Sequence, residues 1–235
     1  MCTVTLATKP HFDSGFILTS NRDEAANRIA LPPKFYTENG IKMLYPKDKL
    51  AGGTWIGISD KKRIICLLNG EFKPHERSDS YRMSRGVVVK DLLSAKIIDI
   101  EVEKYNLNNI EPFTVVAVDW NSELRFIELV WDGTKKHYKD LELKPHIWSS
   151  SPLYSSEMKQ MRTGWFTDFL QKQDLSAEAM WKFHTSAGIG NPEIDVIMDR
   201  EFVKTQNISQ FEYDKNKTLM RYMDLKNREK LEIEF

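Results

Sequence analysis

The residue with the most chemical potential in this chain stands at position 2. Cys2 directly follows Met1, and aminopeptidases remove an initiator Met when the next residue is small. Processing would leave a thiol and a free α-amine on one residue. Their reference pKa values, about 8.5 and about 7.7–8.0, allow the amine to take the thiol proton near neutrality. This is the nucleophile-plus-amine arrangement of N-terminal threonine enzymes, with sulfur in place of oxygen. The plainer use of such a residue is as a small apolar group opening an edge strand.

Ser20-Asn21-Arg22-Asp23-Glu24 closes a strand expected beside the one bearing Cys2. Arg22 would hold the thiolate and lower the thiol pKa. Asp23 would accept hydrogen bonds from the α-ammonium or orient Arg22 through a bidentate pair. The alternative is a solvated turn with a surface ion pair, which is worth little.

Three further segments offer binding groups. Gly52-Gly53-Thr54 permits a tight turn that brings Trp55 to a pocket edge, or else simply starts a core strand. Ser84-Arg85-Gly86 opens a helix whose orphan N–H groups, with Arg82 and Arg85, could hold an anion; an ordinary N-cap with exposed arginines is the favoured reading. Met158, Met161, Trp165, Phe166 and Phe169 form a stripe at helical spacing, read as core with a secondary reading as the wall of an acyl or macrocycle pocket.

Several chemistries are set aside. Cys66 lies inside Ile64-Ile65-Cys66-Leu67-Leu68 and is expected to be inert core. His11, His75, His137, His146 and His184 show no ligand spacing, so no metal site is predicted. Gly188-Ile189-Gly190 lacks the third glycine of a nucleotide loop, and no Gly-x-Ser-x-Gly elbow occurs.

The elements that must position Cys2 and Arg22 are strands. Cys2, Val4 and Leu6 alternate with Thr3, Thr5 and Ala7, a period-2 pattern, and 15–20 forms a second run after a turn over 9–14. Strands are expected over 54–59 and 63–69, 113–119 and 124–131, and then 204–213, 218–224 and 231–235, with 214–217 as a hairpin turn. Helices are predicted over 84–95, where Val88, Leu92 and Ala95 share a face widened by Val87, over about 155–171, and after the N-cap Ser176. With no repeat and no Pro/Gly/Ser linker, the pattern reads as one α+β domain over 1–235.

With 34 basic and 34 acidic residues, nothing suggests a nucleic-acid partner or a polybasic membrane patch. No basic leader precedes an apolar stretch, and no window approaches a membrane helix. Two cysteines make no disulfide framework. The expected compartment is the cytoplasm.

Taken together, Met1-Cys2, Asn21-Arg22-Asp23-Glu24, Gly52-Gly53-Thr54-Trp55-Ile56-Gly57, Leu68-Asn69 and Ser84-Arg85-Gly86 resemble the NRDE family, the transport and Golgi organisation protein 2 group. The chain is more remotely similar to the cholylglycine hydrolases, which include bile salt hydrolases and penicillin V acylases. The resemblance implies a four-layer αββα Ntn-hydrolase-like sandwich of two mainly antiparallel sheets, with the mature N-terminal Cys attacking a linear amide. It places the backbone N–H of Asn69 in the oxyanion hole. It sets Ser150-Ser151-Pro152 where the hydrolases have Asn-Ser-Pro, and Thr218-Leu219-Met220-Arg221-Tyr222 where they have a Tyr-Tyr-Arg hairpin. Two departures stand out: Ala25 occupies the position of the hydrolases' acid, and Ser150 replaces an oxyanion-hole Asn.

Two functions follow as expectations. The first is an amidohydrolase for non-peptide C–N bonds, with Cys2, Arg22, Asp23, Asn69 and Ser150 catalytic and Asn21, Trp55 and Arg85 holding substrate. It needs no cofactor and takes a small-molecule amide. The second is a binding or trafficking protein for haem or an acyl-lipid or acyl-CoA on the same fold, with Met and His regions or Cys2 as soft ligands.

Overall fold

The computed structural model describes residues 2–9, 15–172, 174–214 and 217–235, with Cys2 described as backbone. In chain order the elements are β1 (Cys2–Thr8), β2 (Phe16–Ala25), β3 (Ala30–Glu38), β4 (Ile41–Asp48), β5 (Ile56–Ser59), β6 (Arg63–Asn69), α1 (Arg85–Ser94) and α2 (Ile98–Lys104). There follow β7 (Phe113–Asp119), β8 (Arg125–Trp131), β9 (Lys136–Leu141), β10 (His146–Ser149), α3 (Ser156–Lys172), α4 (Ala177–Ser186), β11 (Asp199–Arg200), β12 (Val203–Asp214), β13 (Lys217–Asp224) and β14 (Lys230–Glu234). They divide into two compact units, Met1–Asn27 with Leu143–Phe235, and Arg28–Glu142.

The first unit holds a seven-stranded sheet in the order β10-β1-β2-β12-β13-β14, with β11 paired to β12. Every pairing in it is antiparallel. Period-2 alternation assigns each strand residue to one of two faces. On β2, Ile17, Thr19, Asn21 and Asp23 share one face, and Phe16, Leu18, Ser20 and Arg22 share the other. Helices α3 and α4 cover the first face, where Ala7 and Ile17 pack with Phe166, Ala177, Met180, Phe183 and Val196. Helix α4 starts as expected, with Ser176 Oγ accepting from the Ala179 N–H and Glu178 in the first turn.

Helix α3 corrects the sequence reading in detail. Its buried residues are Arg162 and Phe166; Trp165 and Phe169 pack at the margin of the core, and Met161 is exposed. The seam therefore runs through an arginine, which a hydrophobicity pattern passes over.

The second unit holds a seven-stranded antiparallel meander in the order β3-β4-β5-β6-β7-β8-β9. Continuous apolar runs in β6 and β7 mark its buried centre, and Cys66 lies there with no exposure. Helix α1 buries Val88, Val89, Leu92 and Leu93, so Val89 rather than Val87 widens its face. Ser59 Oγ donates to the Leu93 carbonyl. The hairpin β3–β4 was not anticipated, because Pro32, Pro33 and a register shift between Leu31 and Lys34 interrupt its pattern. Its turn was legible all the same. Asn39-Gly40 has φ of 53° and 77°, the left-handed pair that two-residue hairpin turns require.

The proposed turn over 9–14 falls mainly outside the described residues, as does the middle of the turn over 214–217. No helix among the described residues is long and apolar enough to cross a membrane.

Candidate functional site

Strand pairing brings the two ends of the predicted site together. Cys2 stands opposite Arg22 in the β1–β2 ladder, and Arg22 stands opposite Asn207 on β12. Arg22 is buried, with 3% of its surface exposed, so the solvated-turn reading does not hold for it. On the other side of β1, Thr3 pairs with Ser149, and Ser150 follows at the level of position 2. Ser150 is buried, and its hydroxyl has no hydrogen-bond partner. The backbone carbonyl of Ser150 accepts from the N–H groups of Leu153 and Tyr154, which anchors the turn into α3.

Alternation along β2 separates what the sequence had grouped. Asn21 and Asp23 share the helix-covered face of the sheet, opposite the face of Arg22. Asp23 is fully buried; it accepts from Tyr154 Oη at 2.6 Å and from Thr205 Oγ1 at 2.7 Å. Burial pushes its carboxyl above the usual range, and Arg162, Tyr154 and Thr205 oppose that shift. Burial and the Asp23 charge drive the Tyr154 phenol far upward. Its ring lies 3.7 Å from the Arg162 guanidinium carbon, a cation–π contact in a desolvated setting. Arg162 also donates to Thr3 Oγ1 and to the carbonyls of Ile194 and Asp195. Asp23 thus helps anchor α3 and the segment before β11. The bidentate pair with Arg22 imagined from sequence is replaced by these contacts.

Asn21 is likewise engaged. Its Nδ2 donates to the carbonyls of His184 and Val196 at 3.0 and 2.9 Å. That fixes Oδ1 as the acceptor facing His184 Nδ1 at 2.6 Å, so Nδ1 carries the proton. His184 Nε2 then accepts from Thr5 Oγ1 at 2.7 Å. Burial, with Arg162 adding to it, pulls the imidazole pKa down to about 3. His184 is a neutral structural clamp between β1, β2 and α4. The expected role of Asn21 in holding substrate has no free amide atom left to serve it.

The remaining candidates lie in the second unit. Asn69 ends β6 opposite Phe113 and is half-buried. Trp55 is buried, and its carbonyl accepts from Leu67 N–H at 2.7 Å. Arg85 donates to the Pro112 carbonyl at 3.1 Å and pairs with Glu111 at 3.0 Å. The same Glu111 carboxylate lies 3.7 Å from His75 and 3.6 Å from Arg77. The glycines of the two motifs explain each other. A Cβ on Gly53 would sit 2.7 Å from the Gly86 carbonyl carbon, and one on Gly86 would sit 2.9 Å from the Thr54 nitrogen. Gly52-Gly53 and Arg85-Gly86 are thus a backbone-to-backbone contact that fixes the start of α1.

Sequence reasoning missed Arg162, Tyr154, His184, Thr205 and Asn207. An arginine inside an otherwise apolar helical face was the only local signal for any of them. Among the described residues no group of His, Cys, Asp and Glu could hold a metal.

The architecture matches solved structures across nearly the whole chain. The mutant C2A conjugated bile acid hydrolase from Clostridium perfringens superposes with a TM-score of 0.61 at 11% identity, over 100% of this chain and 92% of that one. The Caenorhabditis elegans ortholog of N-acylethanolamine-hydrolyzing acid amidase gives 0.61 at 10% identity, over 89% and 92%. Penicillin V acylase from Agrobacterium tumefaciens gives 0.53 at 10%, over 96% and 86%. Two antiparallel sheets with four helices, matched in this way, define an Ntn-hydrolase-like fold. No curated protein sequence matches the chain significantly. The family model for Transport and Golgi organisation 2 matches residues 1–224, and the chain belongs to that family.

Proposed function

We propose that the protein is an N-terminal-cysteine amidohydrolase acting on linear, non-peptide amides, with Cys2 as nucleophile once Met1 is removed. One observation carries the reading: position 2 begins a strand whose in-register neighbour is a buried arginine, Arg22. An arginine beside a thiol favours the thiolate. The C. perfringens enzyme was solved with C2A replacing a cysteine at its own second position, a parallel in placement on a shared fold.

In the reaction, the Cys2 α-amine takes the thiol proton and sulfur attacks the amide carbon. The tetrahedral oxyanion collapses, the C–N bond breaks, and the amine leaves with the proton held by the α-amine. Water, deprotonated by the same amine, hydrolyses the thioester to a carboxylic acid and restores the thiol. Ser150, whose buried hydroxyl has no partner, supplies a donor for the oxyanion at the level of position 2. One such donor is worth roughly 10²–10³ in rate.

The test is intact mass, brief iodoacetamide treatment near neutral pH, and turnover of a panel of N-acyl amides. Loss of Met1, labelling of Cys2 well ahead of the buried Cys66, and amide turnover abolished by Cys2→Ala are expected. Equal turnover by Cys2→Ala, or a retained Met1, would overturn the proposal. Saturable binding of haemin or acyl-CoA without amide turnover would instead favour the binding-protein reading.

A further inference from the structure

The balanced total charge of the chain conceals a local excess. From Arg28 to Leu50 there are five basic residues, Arg28, Lys34, Lys42, Lys47 and Lys49, against two acidic ones, Glu38 and Asp48. Both acids are already neutralised inside the second unit. Asp48 pairs with Arg28 at 2.8 Å, and its Oδ1 accepts from the N–H groups of Leu50 and Ala51. Glu38 pairs with Lys90 at 2.8 Å and accepts from Tyr45 Oη.

The same segment exposes large apolar side chains: Ile29 is 56% exposed, Leu31 37% and Leu50 85%. Single exposed apolar residues are ordinary, but these three form one strip with the lysines. The Lys49 N–H donates to the Ile29 carbonyl, Leu31 stands opposite Lys47, and Lys34 stands opposite Tyr45. Opposite residues share a face, and every second residue along a strand returns to it. Ile29, Leu31, Lys34, Lys47 and Lys49 therefore stand on one face of the β3–β4 hairpin. Leu50 follows at its end, in a turn that the Asp48 carboxylate closes.

Strand β3 is the edge of its sheet. Pro32 and Pro33 lack N–H groups and the register shifts between Leu31 and Lys34, which blunts this edge against an added strand. What suits the strip is a surface: apolar side chains enter the interface while lysine stems reach to negative headgroups. We propose that Ile29, Leu31 and Leu50, flanked by Lys34, Lys47 and Lys49, dock the protein on an anionic lipid bilayer. The docking surface is independent of the amidohydrolase reading.

The test is co-sedimentation of the full-length protein with vesicles of phosphatidylcholine alone or with about 30% phosphatidylserine. The wild type is expected to bind the anionic vesicles at least about tenfold more tightly, each lysine near such a surface being worth about fivefold. That binding is expected to fall as NaCl is raised to about 0.5 M. Lys34→Gln with Lys49→Gln should weaken it about 25-fold, and Leu50→Ser about tenfold. Melting temperatures should stay at the wild-type value, because all three side chains are exposed. Lys172→Gln with Lys226→Gln, at exposed positions of the first unit, removes the same charge and should bind as the wild type does. No vesicle binding, equal binding to the two compositions, or strip variants that bind as the wild type would overturn the docking surface. Equal losses in the control pair and the lysine pair would reduce the effect to total charge and overturn it too. Self-association of the wild type that Leu50→Ser abolishes, with no vesicle binding, would assign the strip to a second copy of the chain instead.

Discussion

His184 makes the protein acid-sensitive in a pH range where few other groups act. Its ring is fully buried, donates to Asn21 and accepts from Thr5, and its pKa falls from 6.5 to about 3. In the unfolded chain the same ring takes up a proton below its ordinary pKa. The unfolded state therefore binds more protons between pH 6.5 and 3, and stability falls as pH falls through that window. At pH 5 the unfolded ring is 1.5 units below its pKa, which at about 1.36 kcal/mol per unit amounts to about 2 kcal/mol. Nearly all of that loss develops between pH 7 and pH 5. Asp23 acts in the opposite sense: its raised carboxyl pKa costs stability as pH rises, so protonation on acidification returns some. Comparing the wild type with His184→Gln at each pH cancels the Asp23 contribution. Urea unfolding at pH 7 and pH 5 reads the difference. The wild-type midpoint should fall about 1 M further than that of His184→Gln, for a slope of about 2 kcal/mol/M. Parallel losses in the two proteins would refute the neutral-clamp assignment.

Other outcomes follow from packing. Gly53→Ala places a Cβ 2.7 Å from Gly86 backbone and should cost about 1–3 kcal/mol, whereas Gly164→Ala, in α3 with nothing within 4 Å, should stabilise by about 0.5–1 kcal/mol; denaturant midpoints check both. Arg63, 1% exposed, holds Asp119 at 2.7 Å and the α1 carbonyls of Leu92 and Ala95. Asp119→Ala leaves that charge buried and should cost about 3–5 kcal/mol, again read by urea unfolding.

The sequence alone determined the elements whose periodicity their own residues carry. The alternation in 2–7 located β1, the short run over 15–20 located the first half of β2 (Phe16–Ala25), and the helical spacing of Val88, Leu92 and Ala95 located α1. Because two successive strands joined by a short turn pair antiparallel, the neighbourhood of Cys2 and Arg22 was also legible. The pairing of Asn21 with His184, and of Asp23 with Tyr154 and Thr205, was not. These partners are separated by 163, 131 and 182 residues, and polar side chains carry no periodic signature. One residue of register decides everything in β2. It sends Arg22 to one face and Asp23 to the other, which dissolves a motif that reads as one charged cluster. Only the tertiary structure, through the shift between Thr205 and Asn207 and the docking of α3 and α4, decided which polar residue faces the candidate nucleophile and which braces the helices. Burial made that choice: on the helix side Asn21, Asp23, Arg162 and His184 found partners, and on the Arg22 side the hydroxyls of Ser20, Ser150, Ser209 and Tyr222 and the amide of Asn207 have none among the described residues.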